Sequence, residues 1–441
     1  MTALQWSKVA FALIIGYGSL GKSFAYFGIP AANIFIGDVF LLLFLLLSID
    51  IIAKTVITST TGSADTSATI WFMLLFVCFG LLEVIRGIYL EYPVLTTIQG
   101  FAFHAYVLYF FLGWWTGSTP IAWLPRAVRA LGYWNCVYAP LYLLFLNKLT
   151  IHIPGTDVLL FGQAGGATLV IIGLISFEED LRRVWLPLSI NTFLLLAQEM
   201  RSQWVGIILA LLVVGFIGKR YLRVAASFGL IAGLLIVGYV TDFSMPSPSD
   251  RGGVVSTREI VGRALASIDE EAAHEYTTNS AIYAGTVSWR TRWWRAIWDA
   301  SLETPAITMI GHGYGYPLHD LVPYLRGTDI RTPHNIFFFA LGYGGWINVI
   351  LFFGLQFALL GLLWRVWQAT GQAFGLAMWV IAMVGGLFGN MFETPFGAIP
   401  YYLLIGAAAA PLRKTVIEQF TYGPSFCPQP LPTTGWRRSG V

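Results

Sequence analysis

The chain holds 441 residues, of which 56% are hydrophobic and only 11% charged, and its mean hydropathy is +0.69. A soluble protein carries about 25% charged residues and could not hide this much apolar surface, because most of a folded exterior faces water; the composition points to a bilayer as solvent. A net charge of +3 offers no nucleic-acid-binding surface, and the three cysteines, Cys78, Cys136 and Cys427, form no CxxC and no metal-ligand spacing.

Crossing about 30 Å of hydrocarbon takes about 20 mostly apolar residues. Twelve runs are read as spans: 8–27, 34–53, 69–87, 98–115, 130–147, 157–177, 184–200, 202–218, 222–240, 334–364, 372–391 and 395–412. Lys8 precedes the first run without a small-x-small cleavage site, so that run is expected to stay as a span. Only Glu199 to Gln203 separate the seventh and eighth runs. The 334–364 run is over-long, which tilt or a start outside the hydrocarbon would accommodate.

The short loops fix an orientation. Fourteen Lys and Arg residues fall on one side, four (Lys22, Arg86, Lys148 and Arg201) on the other, and eight lie in the long 241–333 loop, which the rule does not count. Both termini are therefore expected inside and the long loop outside. The expected fold class is an all-α polytopic membrane protein of about 12 transmembrane helices. It divides into a bundle at 1–240 with about nine spans, an external loop at 241–333, spans ten to twelve at 334–412, and a disordered cytoplasmic tail at 413–441.

Within the loop, STREIVGRALASIDEEAAHEY reads as one amphipathic helix with Ser256 or Thr257 as N-cap. A second helix at about Ser288–Leu302 carries Arg290, Trp294 and Trp298 at spacing four, hence on one face, with Arg292 and Arg295 pointing away. GHGYGYP at 311–317 reads as a tight loop. Lys22 and Asp38 are most simply an ion pair.

Positive residues kept at the outer face need a reason. Arg86 ends the third span, Arg201 sits in the turn between spans seven and eight, Arg290 lies in the loop helix, and Arg331 and His334 stand where the loop re-enters the membrane. Guanidinium binds phosphate bidentately and stays charged in any surroundings, so the cluster suits a phosphate- or pyrophosphate-bearing lipid. Arg86 has an equally good reading as a partner of Glu83; Arg201 could pair with Glu199, but its place in so short a turn favours a functional role. Asn335 follows His334 at the membrane edge. Glu393 sits between two apolar spans, where an acid is costly unless paired or hydrated. His104, inside a span, reads as a hydrogen-bonded packing residue. The acidic stretch around His274 reads as a solvated face rather than a metal site. No DxD motif occurs in the chain, and neither a metal nor any other cofactor is expected.

Three stretches carry a resemblance. RTRWWRAIWDASLETPAITMIGHGYG (290–315) resembles the Arg-x3-Trp, Pro, Gly-x-Gly pattern of the O-antigen ligase and polymerase superfamily. RTPHNIFFFALGYGGWINVILFF (331–353) is similar to the family's His-Asn motif with its glycine cluster and long span, and QEMRSQWVGIILALLVV (198–214) resembles its Arg-containing turn. The resemblance implies an integral-membrane glycosyltransferase of the bacterial inner membrane, working at the periplasmic face. Its donor would be an undecaprenyl-pyrophosphate-linked glycan and its acceptor lipid A-core, or a second lipid-linked glycan in a polymerase.

It also implies His334 as the base for the acceptor hydroxyl, with Arg201 and Arg290 holding the pyrophosphate. Arg86, Arg331, Asn335 and Glu393 are the further candidates for substrate contact. Gly345 fits the first glycine of the ligase spacing while Asn348 stands at the second. Arg331 and Gly342 match a polymerase-like spacing that chance alone would supply. The ligase reading leads, the polymerase reading stays open, and a transporter of lipid-linked saccharide is the alternative from another class.

Overall fold

The computed structural model describes residues 2–29, 34–60, 64–117, 123–247, 254–266, 268–328, 330 and 332–412. Its helices are α1 (Ala3–Leu20), α2 (Lys22–Ala25), α3 (Ile36–Thr60), α4 (Ala64–Tyr89), α5 (Val94–Ala105), α6 (Tyr109–Gly117), α7 (Trp123–Leu144), α8 (Ala167–Phe177), α9 (Trp185–Ala197), α10 (Arg201–Phe216) and α11 (Tyr221–Val240). They continue as α12 (Thr257–Leu265), α13 (Glu270–Ala273), α14 (Ser280–Ser301), α15 (Pro305–Ile310), α16 (Ile336–Thr370), α17 (Phe374–Leu387) and α18 (Pro395–Ala409). Two small antiparallel hairpins accompany them, β1 (Gly28–Ile29) with β2 (Ile34–Phe35) and β3 (Ser244–Pro246) with β4 (Val254–Ser256).

The fold is an all-α membrane protein. Five helical stretches among the described residues are long and apolar enough to cross a bilayer: Ile36–Ile57, Thr66–Tyr89, Val94–Gly117, Tyr221–Val240 and Ile336–Thr370. Their outward faces are bare apolar side chains, such as Ile49 at 68% and Val240 at 76% exposure. Lipid, not water, satisfies such a surface.

Helix contacts in lipid depend on close approach and on paired polar groups rather than on a hydrophobic drive. Gly113 of α6 lies so near α18 that a β-carbon there would meet the Leu403 carbonyl oxygen at 2.1 Å, and one on Gly406 would meet that of Phe110 at 2.1 Å. Asn135 Nδ2 of α7 donates to Asn191 Oδ1 of α9 at 2.7 Å. Gln356 of α16 takes the Tyr401 hydroxyl on Oε1 at 2.7 Å. At one end of the bundle Arg129 holds both oxygens of Glu178, at 2.8 and 2.9 Å.

Several expectations change. The 157–177 run is helical only from Ala167: residues 149–166 are loop, closed by Ile153 N to Val158 O and Leu160 N to Ile151 O, each 2.8 Å. Pro154 and the glycines at 155, 162, 165 and 166 interrupt any helix there. The 11 residues of α8 reach about 16 Å, well short of a bilayer. The 98–115 run starts at Val94 and turns through a 3₁₀ segment at Tyr106–Leu108.

Asp38 pairs not with Lys22 but with the Phe35 N–H (2.9 Å) and the Tyr106 hydroxyl (3.0 Å). The expected single helix after Ser256 is two: Ser256 caps α12 through the Glu259 N–H, and Asp269 caps α13 through the N–H groups of Glu271 and Ala272. Its successor, α14, begins eight residues earlier than expected. The tail at 413–441 lies outside the described residues.

The over-long tenth run is a broken helix. Gly345 has φ +63 and ψ −164 within α16, and the segment Ile310–Gly313, leaving the end of α15, lies in the notch. His312 N donates to Gly342 O at 2.9 Å and Gly313 N to Tyr343 O at 2.8 Å. A β-carbon on Gly345 would stand 2.4 Å from the Met309 carbonyl carbon, and one on Gly311 2.5 Å from that of Tyr343. Both glycines also hold the positive φ that side chains resist. Gly345→Ala is therefore expected to cost about 2 kcal/mol or more, seen as a lowered unfolding temperature in detergent; an unchanged value would contradict the docking of this notch.

Candidate functional site

The site is organised by α14, which lies among the segments between α11 and α16. Its expected face is present: Arg290 Nη1 reaches the Phe388 carbonyl past the end of α17 (3.4 Å), Trp294 stacks on Phe338 (5.5 Å, 12°), and Trp298 stacks on Phe337 (6.5 Å, 22°). Trp293 is wholly buried and donates to Leu318 O at 2.8 Å, which anchors the helix. Arg295 points to solvent at 85% exposure beside Asp299, and Arg292 lies over the Tyr324 ring.

Arg201 opens α10 and reaches across to α14. Nη2 donates to Thr286 Oγ1 (2.8 Å) and to the Tyr283 carbonyl (3.2 Å), and Nη1 to the Arg263 carbonyl (3.4 Å). Thr286 and Arg290 are four apart, so they share a face of α14 about 6 Å apart. The two arginines named from sequence thus meet along one helix.

Beside Arg201 lies a buried ionic group that the sequence did not single out. Arg263 of α12 pairs with Glu199 at 3.0 Å, stands 3.8 Å from Glu259 and lies over the Tyr283 ring at 4.4 Å. The Tyr283 hydroxyl donates to Glu259, and Ser247 to Glu199 (2.7 Å). The Glu259–Arg263 spacing of four was legible as a helical pair; that it would be buried against the α9–α10 turn was not. Burial of such ions is tolerated only with both signs present. It ties the turn carrying Arg201 to α12 and α14.

His334 is partly buried at the entrance to α16, with a left-handed φ of +54. Trp294 Nε1 holds the carbonyl of Pro333 at 2.7 Å. Asn335 Oδ1 caps α16 by accepting from the N–H groups of Phe337 (2.9 Å) and Phe338 (3.4 Å). The imidazole stands against Trp289, ring centroids 6.1 Å apart at 82°.

Glu393 lies between α17 and α18. Its carboxyl is enclosed, both oxygens being buried, and no cation is paired with it among the described residues. Burial pushes its pKa up to about 8, and the Thr332 hydroxyl offsets only part of that rise. Thr332 is two residues before His334, so the acid belongs to the same end of the protein.

Arg86 belongs to another neighbourhood. It pairs with Glu83 (2.9 Å) and donates to the carbonyls of Ile310 and Gly311 at the helix notch. His104 is the hydrogen-bonded packing residue expected, bonded through Nε2 to the Tyr314 hydroxyl at 2.5 Å. Burial holds the His312 imidazole below its ordinary pKa. His274 bonds Ser280 Oγ (2.9 Å), and no three His, Cys, Asp or Glu side chains among the described residues gather as metal ligands. Arg331 lies outside the described residues.

Residues 186–353 match the family model described as O-antigen ligase. The match begins at the start of α9, takes in Arg201, all of α14 and His334, and ends within α16, leaving Arg86 and Glu393 outside it. No curated protein matches the chain at significance.

Glu393 gives a pH prediction. Its pKa rises from 4.5 to about 8 on folding, so the folded state binds more protons than the unfolded state between these values, and stability falls as pH rises through that window. Glu393→Gln keeps the neutral form at every pH. The variant should gain in unfolding temperature over the wild type between pH 5 and pH 9; parallel curves would exclude a buried, neutral Glu393.

Proposed function

We propose that this multi-pass membrane protein, whose residues 186–353 match the O-antigen ligase family model, is a glycosyltransferase of the ligase type. It moves a preassembled glycan from undecaprenyl pyrophosphate to a hydroxyl of lipid A-core. The reading places it in a bacterial inner membrane with both termini in the cytoplasm and the site on the periplasmic face, among membrane lipids. No nucleic acid is a partner, and no metal or other cofactor is required.

In this reading the His334 imidazole takes the proton of the acceptor hydroxyl, a role suited to a ring nitrogen that can accept a proton and later release it. The oxygen bonds to the anomeric carbon as the bond from that carbon to the pyrophosphate oxygen breaks. The electron pair leaves with the pyrophosphate, and Arg201 and Arg290 balance the developing charge as fixed cations. Arg331 is assigned to a surrounding substrate contact, while Arg86, Asn335 and Glu393 support the site from behind: Arg86 by holding the notch, Asn335 by fixing the start of α16, and Glu393 by packing against the Thr332 that precedes His334.

One observation carries the reading: α14 gathers the reacting groups. It receives Arg201 at Thr286, presents Arg290 one turn on, and abuts His334 through Trp289. One helix thus connects both guanidiniums to the segment that carries the imidazole, which supports a site with cations for a leaving pyrophosphate and a base for the acceptor. The polar groups named above in the middle of the bundle, Asn135 with Asn191 and Gln356 with Tyr401, bond one another, which favours chemistry at one end over a transport path.

The test uses purified protein, an undecaprenyl-pyrophosphate glycan, lipid A-core and excess EDTA, with products resolved by gel mobility. Glycan on lipid A-core is expected. Longer lipid-linked glycan would replace the ligase reading with the repeat-unit polymerase. His334→Ala, folded and in the membrane, should lose transfer by at least about 100-fold, the scale of a positioned general base; transfer at the wild-type rate would remove the imidazole from the chemistry.

A further inference from the structure

The backbone on either side of His334 is held, yet that leaves the plane of its imidazole to be set by something else. Pro333 is fixed through its carbonyl by Trp294 Nε1 (2.7 Å), and Asn335 is fixed as the cap of α16. Trp289 stands beside the imidazole, edge against face at 82° with centroids 6.1 Å apart.

Trp289 is itself braced. Its ring stacks on the wholly buried Trp293 at 6.1 Å and 28°, and its carbonyl accepts the Tyr324 hydroxyl at 2.7 Å. The same ring has the Arg290 guanidinium 5.5 Å from its centroid, a distance at which a cation is drawn to an indole.

We propose that Trp289 is a positioning residue: its braced indole sets the orientation of the His334 imidazole and holds it in register with the Arg290 guanidinium. The proposal rests on the base role of His334 above. Trp289 touches no reacting atom. It acts because a general base must present a ring nitrogen to the acceptor hydroxyl within hydrogen-bond distance and direction, and small misplacements of such a group cost rate steeply. A rigid two-torsion side chain packed on a buried tryptophan can hold that direction, and His334 sits before α16 with a positive φ and its ring against α14.

The experiment compares full-length wild type, Trp289→Ala, Trp289→Phe and His334→Ala in the same transfer assay, after gel filtration shows each to be folded. Trp289→Ala should lower kcat by 10- to 100-fold with KM for the lipid-linked donor changed less than about threefold, because only the alignment of the base is lost. Trp289→Phe, which keeps a ring against the imidazole, should recover most of kcat. Wild-type kcat in a folded Trp289→Ala would overturn the proposal while leaving the base role standing, provided His334→Ala is inactive.

A loss confined to donor KM would also overturn it, assigning Trp289 to Arg290 alone. Should Trp289→Ala fail to fold, Trp289→Phe against Trp289→Leu decides the matter: equal kcat in these two would overturn the need for a ring. If His334→Ala transfers at the wild-type rate, the base reading itself falls, and the role of Trp289 with it.

Discussion

The docking of Ile310–Gly313 into the broken helix α16 is the constraint on which the rest depends. Two backbone hydrogen bonds join the segment to the last turn before the break, and the approach is close enough that neither Gly311 nor Gly345 has room for a β-carbon. The notch stops the first part of α16 from running on as a straight rod. Arg86 of α4, braced by Glu83, adds donors to the carbonyls of Ile310 and Gly311, and His104 reaches Tyr314 from α5. A loop held by backbone bonds, a guanidinium and an imidazole becomes a rigid part of the protein.

From that fixed point the remaining geometry follows. The first part of α16 begins at Asn335 and carries the ring faces on which Trp294 and Trp298 stack, so α14 is laid along it. With α14 placed, Arg290 meets the end of α17 and Trp289 meets His334. A second anchor, the Glu199–Arg263–Glu259 group, draws the α9–α10 turn towards the same helix and brings Arg201 with it. Removing one member would leave a buried charge without its opposite, a far larger loss than an exposed pair would bring. The arginines therefore have two tasks in the proposed mechanism: Arg201 and Arg290 both bond carbonyls that fix the scaffold, and both stand where a leaving pyrophosphate would need positive charge.

Glu393 stands apart from these ion pairs. Surrounded by protein and without a cation among the described partners, it is held near neutrality by burial. A neutral carboxyl can donate as well as accept, which an ionised one cannot. Thr332, two residues before His334 in the chain, lies against Glu393 and so links the α17–α18 connection to the segment of the proposed base.

Composition and hydrophobic run length were enough to identify a helical membrane protein, because a bilayer demands long apolar stretches whatever their partners. Local capping was equally legible, as at Ser256, since a cap is a contact between near neighbours in the chain. His334, Arg201 and Arg290 were recognisable as unusual because charged groups near a membrane are costly. Other features depended on residues far apart in sequence. The break at Gly345 exists because Met309 and Gly311 lie against it; the pairing of Glu199 with Arg263 crosses from one helix turn to another; Asp38 prefers Tyr106 to Lys22. Run length cannot show that α8 is short or that Trp289 faces the imidazole. These were decided by the packing of elements, where close backbone approach and the pairing of buried charge, not local propensity, select the arrangement.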